Sequence, residues 1–238
     1  MTYRHLLAIA ERLPAAWRPP SSASDLPIEL ARHAELALIA SPVAGVPAPT
    51  ARALARHHDV VASAMDADAL LPFRFGTVLP AADVDAWLDA HAGRLRQGLG
   101  RVRGAVEMSV RLLRLHCAHA ADRTCRECAG GAPGVTALRA VADRLVERAG
   151  LPRWRYRSAG GESRAAASLA FLVPRADVAA FLSRIAPVAS RAEGLAVVPT
   201  GPWPPYSFTP ALDRAPLARA AATAPEAPRA LLRRALVG

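Results

Sequence analysis

Short segments in which apolar and polar residues alternate are spread over the chain, and this period of two is typical of half-buried β-strands. The longest lies at 105–112, where apolar side chains at even positions alternate with Glu107, Ser109 and Arg111. Shorter apolar segments predict further strands at 3–9, 28–30, 36–39, 154–157, 168–173 and 195–198. The two at 28–30 and 36–39 suit a strand pair, although a single helix is an alternative for such short segments.

Apolar residues at helical spacing mark four segments between these strands. In the first segment Thr50 is a suitable N-cap. One face of this helix would hold Leu54, His58, Val61 and Met65. The clearest helix is predicted at 83–99, and we expect Gly98 and Gly100 to mark its end. Two more helices are predicted at 136–149 and 176–185.

The order of these elements predicts an α+β fold in two units. The first is an N-terminal α+β sandwich with its helices on one face of a mostly antiparallel sheet. The second has the order helix, two strands, helix, strand, which is a ferredoxin-like unit short of its first strand; segment 105–112 could supply that strand. We expect four parts: an N-terminal domain at 1–115, a connecting loop at 116–134, a C-terminal domain at 135–210, and an Ala/Pro-rich tail at 211–238 that could carry a short helix.

Segment 70–80 has strong strand formers in an unusual order. Pro72 cannot donate a ladder hydrogen bond, and a glycine such as Gly76 often marks a bulge, so the segment predicts an irregular or edge strand. Alternation along such a strand would place Phe73 and Phe75 on one apolar face. With aromatic residues at only 5% of the chain, we expect Phe73 to be needed in the core.

A second unusual segment lies at 200–208, near the predicted end of the globular part. Prolines on both sides of Trp203 hold the backbone extended, so Trp203 and Tyr206 are presented in a rigid geometry at low entropic cost. Rigid aromatic side chains are good anchors for a protein partner. Packing of both rings against their own domain is the alternative.

Both segments resemble motifs of the GvpF/GvpL family of gas vesicle proteins. The motifs are Leu-Pro-Phe-Arg-Phe-Gly-Thr-Val at 71–78 and Gly-Pro-Trp-Pro-Pro-Tyr-Ser-Phe at 201–208. Segment 169–173 also resembles the strand before the family's last helix, so the resemblance covers residues 3–210. It implies an α+β N-terminal domain followed by a modified ferredoxin-like C-terminal domain.

The resemblance also implies a function. It predicts a non-enzymatic accessory or minor structural protein that binds the principal shell protein and supports vesicle nucleation and assembly. Other gas vesicle accessory proteins are further candidate partners. Three motif residues are the candidate partner-binding residues: Arg74, Trp203 and Tyr206.

The net charge of +10 raises an alternative, a basic RNA-binding module on a ferredoxin-like sheet. The pair Phe73 and Phe75 would suit its stacking platform, but the Lys/Arg-Gly-Phe core of that motif is absent. All 30 basic residues are arginines, and their densest groups, at 94–103 and 153–157, are interpreted as solvated helix faces. Nucleic acid is therefore not the expected partner.

No apolar segment approaches the ~20 residues that a membrane-spanning helix needs. The first residues also lack the apolar core of a signal peptide. We therefore expect a cytoplasmic protein that is associated with gas vesicles and does not bind a membrane.

Four residues form a weak zinc candidate: Cys117, His119, Cys125 and Cys128. A structural zinc site needs four such ligands, and here a second Cys-x-x-Cys pair is missing, so we expect no metal and no cofactor. His57 and His58 lie in a predicted helix with no nucleophile in a recognisable arrangement, so we expect a partly buried helix histidine there. The sequence therefore predicts a protein that is not an enzyme.

Overall fold

The computed structural model describes residues 2–33, 35–115, 134–158, 165–192 and 194–212. Its first sheet is built from β1 (Tyr3–Glu11), β2 (Glu29–His33), β3 (Leu36–Val43), β4 (Ala69–Pro72) and β5 (Val78–Pro80). The strand order is β2-β3-β1-β4, with β5 also paired to β1, and every pair is antiparallel. The hairpin of β2 and β3 confirms the predicted strand pair.

Helices cover both faces of this sheet, so the prediction that they pack on one face is wrong. On one face, α1 (Ala51–Ser63) packs against Leu7 and Ile39. On the other, α2 (Val84–Val102) packs against Leu6. The reason lies in β1, which is apolar at consecutive positions instead of alternating, and a strand of that kind must be buried on both sides.

Helix α1 begins as predicted but turns a different face inward. The Thr50 hydroxyl accepts a hydrogen bond from the Ala53 amide at 3.2 Å, which is an N-cap bond. The buried residues of the helix are His57, Val60 and Val61, whereas Leu54 is 44% exposed. The predicted face at Leu54 and His58 is therefore rotated from the observed one.

Helix α2 passes through Gly98 and Gly100 and ends at Val102, which corrects the predicted end. Gly98 is buried, and a Cβ atom added to it would lie 3.0 Å from Leu71 Cδ1 and 3.0 Å from Pro210 Cδ. The glycine therefore allows β4 and the C-terminal segment to approach the helix closely. It does not terminate the helix.

The second sheet belongs to a unit with the order β-α-β-β-α-β. It comprises β6 (Ala105–Arg114), α3 (Val135–Ala149), β7 (Trp154–Ser158), β8 (Ala165–Pro174), α4 (Val178–Ala189) and β9 (Leu195–Trp203). The sheet order is β7-β8-β6-β9 with antiparallel pairs, which is ferredoxin-like topology. Strand β6 supplies the first strand, although it lies within the range 1–115 predicted for the N-terminal domain. A domain division at 115 stays a prediction.

The two sheets share part of one hydrophobic core. Helices α3 and α4 cover one face of the second sheet, around Phe171 and Phe181. On the opposite face, Ala170 and Leu172 join the cluster that α2 forms with the first sheet. In the described part of the chain, no helix is both long enough and apolar enough to cross a membrane.

The close contact at Gly98 predicts opposite effects of one substitution at two nearby positions. Gly98→Leu should lower the free energy of unfolding by about 1–3 kcal/mol, because the added side chain overpacks against Leu71 and Pro210. Gly100→Leu should raise it by about 0.5–1 kcal/mol, because this exposed helix position has open space and gains helix propensity. Urea unfolding measures both; a Gly98 variant as stable as the Gly100 variant would contradict the packing described.

Phe73 is a core residue, as predicted: it is 5% exposed and its ring centroid lies 5.9 Å from that of Trp87. Phe73→Ala should lower the free energy of unfolding by about 3–5 kcal/mol, because it leaves a cavity between β4 and α2. Phe73→Leu, which keeps much of the volume, should lower it by less. If Phe73→Ala kept the melting temperature of the original chain, the core assignment would be wrong.

Candidate functional site

The motif at 71–78 forms a turn at the edge of the first sheet. Phe73 N donates to Leu7 O at 2.8 Å as the chain leaves the sheet, and Leu6 N donates to Thr77 O at 2.8 Å as it returns. Residues 74–77, here called the Arg74 turn, project between these two bonds. The predicted irregular edge strand is thus two short strands and a turn, and Phe73 and Phe75 do not share a strand face.

The Arg74 turn is closed by its own motif residues. Arg74 O accepts hydrogen bonds from Thr77 N at 3.1 Å and from Thr77 Oγ1 at 2.7 Å. The ring of Phe75 packs edge-on against the rings of His5 and His57, with centroids 5.0 and 5.6 Å away. These contacts hold the backbone, and the Arg74 side chain is left exposed.

Two buried histidines support the turn from beneath. His57 Nε2 lies 2.9 Å from Phe73 O, and because a carbonyl only accepts, this nitrogen carries the proton. Gly76 N donates to His5 Nε2 at 3.1 Å, so that nitrogen is unprotonated. Burial, with a smaller contribution from His57, lowers the pKa of His5 to about 4, and burial also lowers the pKa of His57. Both rings are therefore neutral near pH 7, and His57 confirms the predicted buried helix histidine.

The motif at 201–208 continues β9, which was predicted to end at 198, up to Trp203. Gly201 has a φ of +129°, and a Cβ atom there would lie 2.8 Å from Met108 Sδ and 2.9 Å from Glu107 O. A side chain at this position would therefore collide with β6. Glycine lets the motif stay paired with the second sheet.

After β9 the chain crosses back to the first sheet. Residues 204–212, here called the clasp, contact both sheets. Both carboxylate oxygens of Glu107 accept from Ser207, at 2.8 Å from its amide and 2.9 Å from its hydroxyl. Thr209 Oγ1 donates to Pro72 O at 3.2 Å, and Phe208 is buried in the shared core. The clasp therefore brings the two motifs together.

Trp203 is at once exposed and packed. Its side chain is 39% exposed, and its ring centroid lies 5.4 Å from that of His58 on α1. The indole Nε1 donates to Thr200 Oγ1 at 3.3 Å. Trp203 thus bridges the second sheet and α1 and still presents a surface to solvent.

Arg74 and Tyr206 lie where two cavities adjoin, and both residues line both cavities. The first, here called the seam pocket, has a volume of about 260 Å³ and lies between the Arg74 turn, α2 and the clasp. Trp87 lines it, and the buried Trp87 Nε1 has no hydrogen-bond partner among the described residues. The structure therefore brings Arg74 and Tyr206 together at one surface and places Trp203 on the adjoining strand.

The second cavity, here called the basic groove, has a volume of about 590 Å³ and lies against the face of the second sheet that is turned away from α3 and α4. Arg74, Arg155 and Arg157 line it together with Glu107. Burial raises the pKa of Glu107, opposed by its Ser207 hydrogen bonds and by the charge of Arg157. Burial, and to a lesser degree Glu107, raises the pKa of Tyr206, so its hydroxyl stays protonated and can donate.

Several of these residues were not identified from the sequence. Glu107 read as an ordinary polar position of an alternating strand, and Arg155 and Arg157 were interpreted as part of a solvated helix face. They lie on β7, the strand that was also predicted at 154–157, so the helix interpretation is wrong. Arginines two residues apart in a strand share a face, and this spacing was the signal available in the sequence.

Neither the RNA-stacking pair nor a metal site is found at this surface among the described residues. Phe73 and Phe75 do not form the RNA-stacking platform, because they follow β4 of the first sheet, are not on a strand of the ferredoxin-like sheet, and Phe73 is buried. Within the described ranges, no three His, Cys, Asp or Glu residues lie close enough together to hold a metal ion. The zinc candidates Cys117, His119, Cys125 and Cys128 lie outside the described residues.

The buried histidines predict acid sensitivity. Because the folded pKa of each is below the unfolded value of 6.5, their neutral forms are favoured in the fold, and stability should fall as pH falls from about 6.5 to about 4. The loss is at most about 1.4 kcal/mol per pH unit for each histidine. Because the pKa of Glu107 is raised, its contribution to stability changes with pH in the opposite direction. The test therefore isolates the histidines by comparing urea unfolding of the original chain with that of the double variant His5→Gln/His57→Gln. An equal pH slope in both proteins would exclude the histidines as its origin.

Comparison with known proteins identifies a family and solved structures that this chain resembles. The family model described as gas vesicle synthesis protein GvpL/GvpF matches residues 4–130 and 120–210. The crystal structure of the gas vesicle protein GvpF from an Anabaena species is similar in fold, with a TM-score of 0.69, 15% identity, and coverage of 89% of this chain and 97% of that one. GvpF from Microcystis aeruginosa is also similar, with a TM-score of 0.67, 13% identity, and coverage of 88% and 99%. A search of curated proteins found no significant match. Since the family model spans most of the sequence, the chain belongs to the GvpL/GvpF family of gas vesicle synthesis proteins.

Proposed function

We propose that this protein binds the principal shell protein of gas vesicles and supports vesicle nucleation and assembly. As a GvpL/GvpF member it is a gas vesicle protein and not an enzyme. We place its action in the cytoplasm, at forming vesicles, with the shell protein as the first partner and other gas vesicle accessory proteins as further ones. The proposal involves neither a membrane nor a cofactor.

The observation that carries the proposal is the meeting of the two motifs at one surface. Arg74 is exposed at the tip of a turn whose backbone is held from both ends, and Tyr206 stands beside it on the clasp. Trp203 is exposed on the adjoining strand. Arginine, tryptophan and tyrosine on a rigid support are the residue types that dominate protein interfaces, because they bury much area with little loss of conformational entropy.

Protection of an assembly intermediate is the physical task such a surface could perform. A shell protein with uncovered apolar strand edges would pair promiscuously before it is built into a wall. A partner that contacts such an edge keeps it from aggregating. The edge strands β2, β7 and β9 also offer backbone groups for strand addition, in which main-chain hydrogen bonds supply affinity and side chains supply selectivity.

The proposal predicts that substitutions at the motif surface weaken shell-protein binding without unfolding the chain. Arg74→Glu/Trp203→Ala should reduce the amount of shell protein that co-purifies by about tenfold, corresponding to a loss of about 1.4 kcal/mol. Arg144→Glu, at an exposed position of α3, is the matched control and should bind as the original chain does. Melting temperatures show that each variant is folded.

The same proposal is tested in cells by deleting the gene in a vesicle-forming host and observing whether vesicles form. We expect few or no vesicles, restored by the original gene and poorly by the motif variant. Normal vesicles after deletion, together with no complex between the purified proteins at low or high salt, would overturn the proposed function.

A further inference from the structure

We infer that the basic groove binds an acidic segment of a protein partner in extended conformation. The inference deepens the proposed function, on which it rests, by stating the chemistry that the partner segment must carry. Five features of the groove support it: the placement of its arginines, the absence of ion pairs between them and the described residues, the stacking of Arg155, the spacing of the arginines and the adjoining apolar pocket.

Strand register places three arginines on one face of the second sheet. Arg157 and Arg111 both lie opposite Ser168, one on each side, and Arg155 lies opposite Ala170. Directly opposite residues in an antiparallel sheet share a face. That face is the one away from α3 and α4, because Ala170 packs on the side of the first sheet. Arg74 approaches the same space from the Arg74 turn.

The described residues that line the groove include three arginines and one acidic residue. Glu107 is the acidic residue that lines the groove, and both its oxygens are already bound by Ser207. Among the described residues, no ion pair within 4.0 Å engages Arg74, Arg155 or Arg157. A ligand that brings carboxylates could therefore bind these arginines without breaking an ion pair with a described residue.

One of these arginines is also held in place. The Arg155 guanidinium carbon lies 5.4 Å from the ring centroid of Phe208, and its Nη1 donates to Trp154 O at 3.0 Å. Such stacking fixes a guanidinium and leaves its remaining donors free for a bidentate bond to a carboxylate. The groove is thus partly preorganised for an anion, which reduces the entropy lost on binding.

The spacing of the arginines selects an extended peptide over a single small anion. Residues two apart on a strand are separated by roughly 6.6 Å, and alternate side chains of an extended ligand repeat at the same distance. Arg155 and Arg157 therefore match carboxylates at alternate positions of a segment lying along β7. The volume of about 590 Å³ exceeds what one small ion would fill.

The seam pocket, which adjoins the groove, indicates that the ligand also carries an apolar residue. It shares Arg74 and Tyr206 with the groove, and apolar residues such as Phe73 and Leu79 line it. An apolar side chain of the ligand could enter there while its acidic neighbours face the arginines. The recognised segment is therefore acidic at alternate positions, with one apolar residue beside them.

An RNA strand would need rings on which bases can stack. Two tyrosines are among the residues that line the groove, but the ring of Tyr156 packs against the helix-covered core and under Arg139. Tyr206 is half-buried within the clasp. The groove thus has the charge for a phosphate chain but lacks an aromatic platform on its described surface, and this favours a peptide.

The test uses a fluorescein-labelled peptide with one Leu followed by alternating Glu and Ser, and measures its binding by fluorescence anisotropy. We expect Arg155→Glu/Arg157→Glu to weaken binding by at least about tenfold. Arg144→Glu/Arg148→Glu, the same charge change on exposed positions of α3, should alter it by less than about twofold. Arg157→Glu alone replaces the double variant if that protein does not fold, because Arg157 contacts no aromatic ring of the described residues.

The inference would be overturned by no binding of the Glu peptide, by equal weakening in both double variants, or by equal binding of a Gln-for-Glu peptide. Tighter binding of a uridine oligomer with the same arginine dependence would assign the groove to nucleic acid instead. The proposed function is tested separately with shell protein. If Arg155→Glu/Arg157→Glu leaves shell-protein binding unchanged and the peptide does not bind, only this inference is contradicted. If the peptide binds and the shell protein does not, only the proposed function is contradicted.

Discussion

The buried contact between Glu107 and Ser207 is the constraint on which the site depends. A carboxylate taken out of water is costly unless its oxygens are hydrogen-bonded, and here Ser207 supplies both bonds. These bonds fix where the clasp leaves the second sheet, and burial of Phe208 fixes where it enters the shared core. As a consequence Tyr206 lies beside Arg74, although the two residues are far apart in sequence. Without this crossing, the seam pocket and the basic groove would lack a common wall.

Much of the fold was predictable because it depends on local periodicity. Alternation identified β6, and helical spacing identified α2 and α3, since both patterns follow directly from which residues face a core. The predictions that were wrong concerned features that depend on contacts between residues far apart in sequence. Gly98 resembles a helix stop, but it permits an approach by Pro210 that no local pattern reveals. Helices on both faces of the first sheet follow from a β1 that is apolar at successive positions, a feature that a search for alternation does not find.

The site was predictable to a different extent. Arg74, Trp203 and Tyr206 came from unusual motif order, and the structure places two of them at one surface with the third nearby. Glu107, Arg155 and His5 could not be found in this way, because their roles are set by strand order and by pairing between segments. Sequence order gave no reason to connect β7 with the Arg74 turn. Only the crossing of the clasp makes them walls of one groove.

The Arg74 turn and the clasp meet at a seam between the two sheets, where the exposed Arg74 lies beside Tyr206. The central claim is that this seam contacts the gas vesicle shell protein, and site-specific photo-crosslinking tests it most directly. A photo-reactive amino acid at position 74 or 203 should form a covalent adduct with shell protein in vesicle-forming cells, while the same amino acid at position 144 on α3 should not. Adducts from position 144 alone, or none from 74 and 203 when vesicles form normally, would contradict the account.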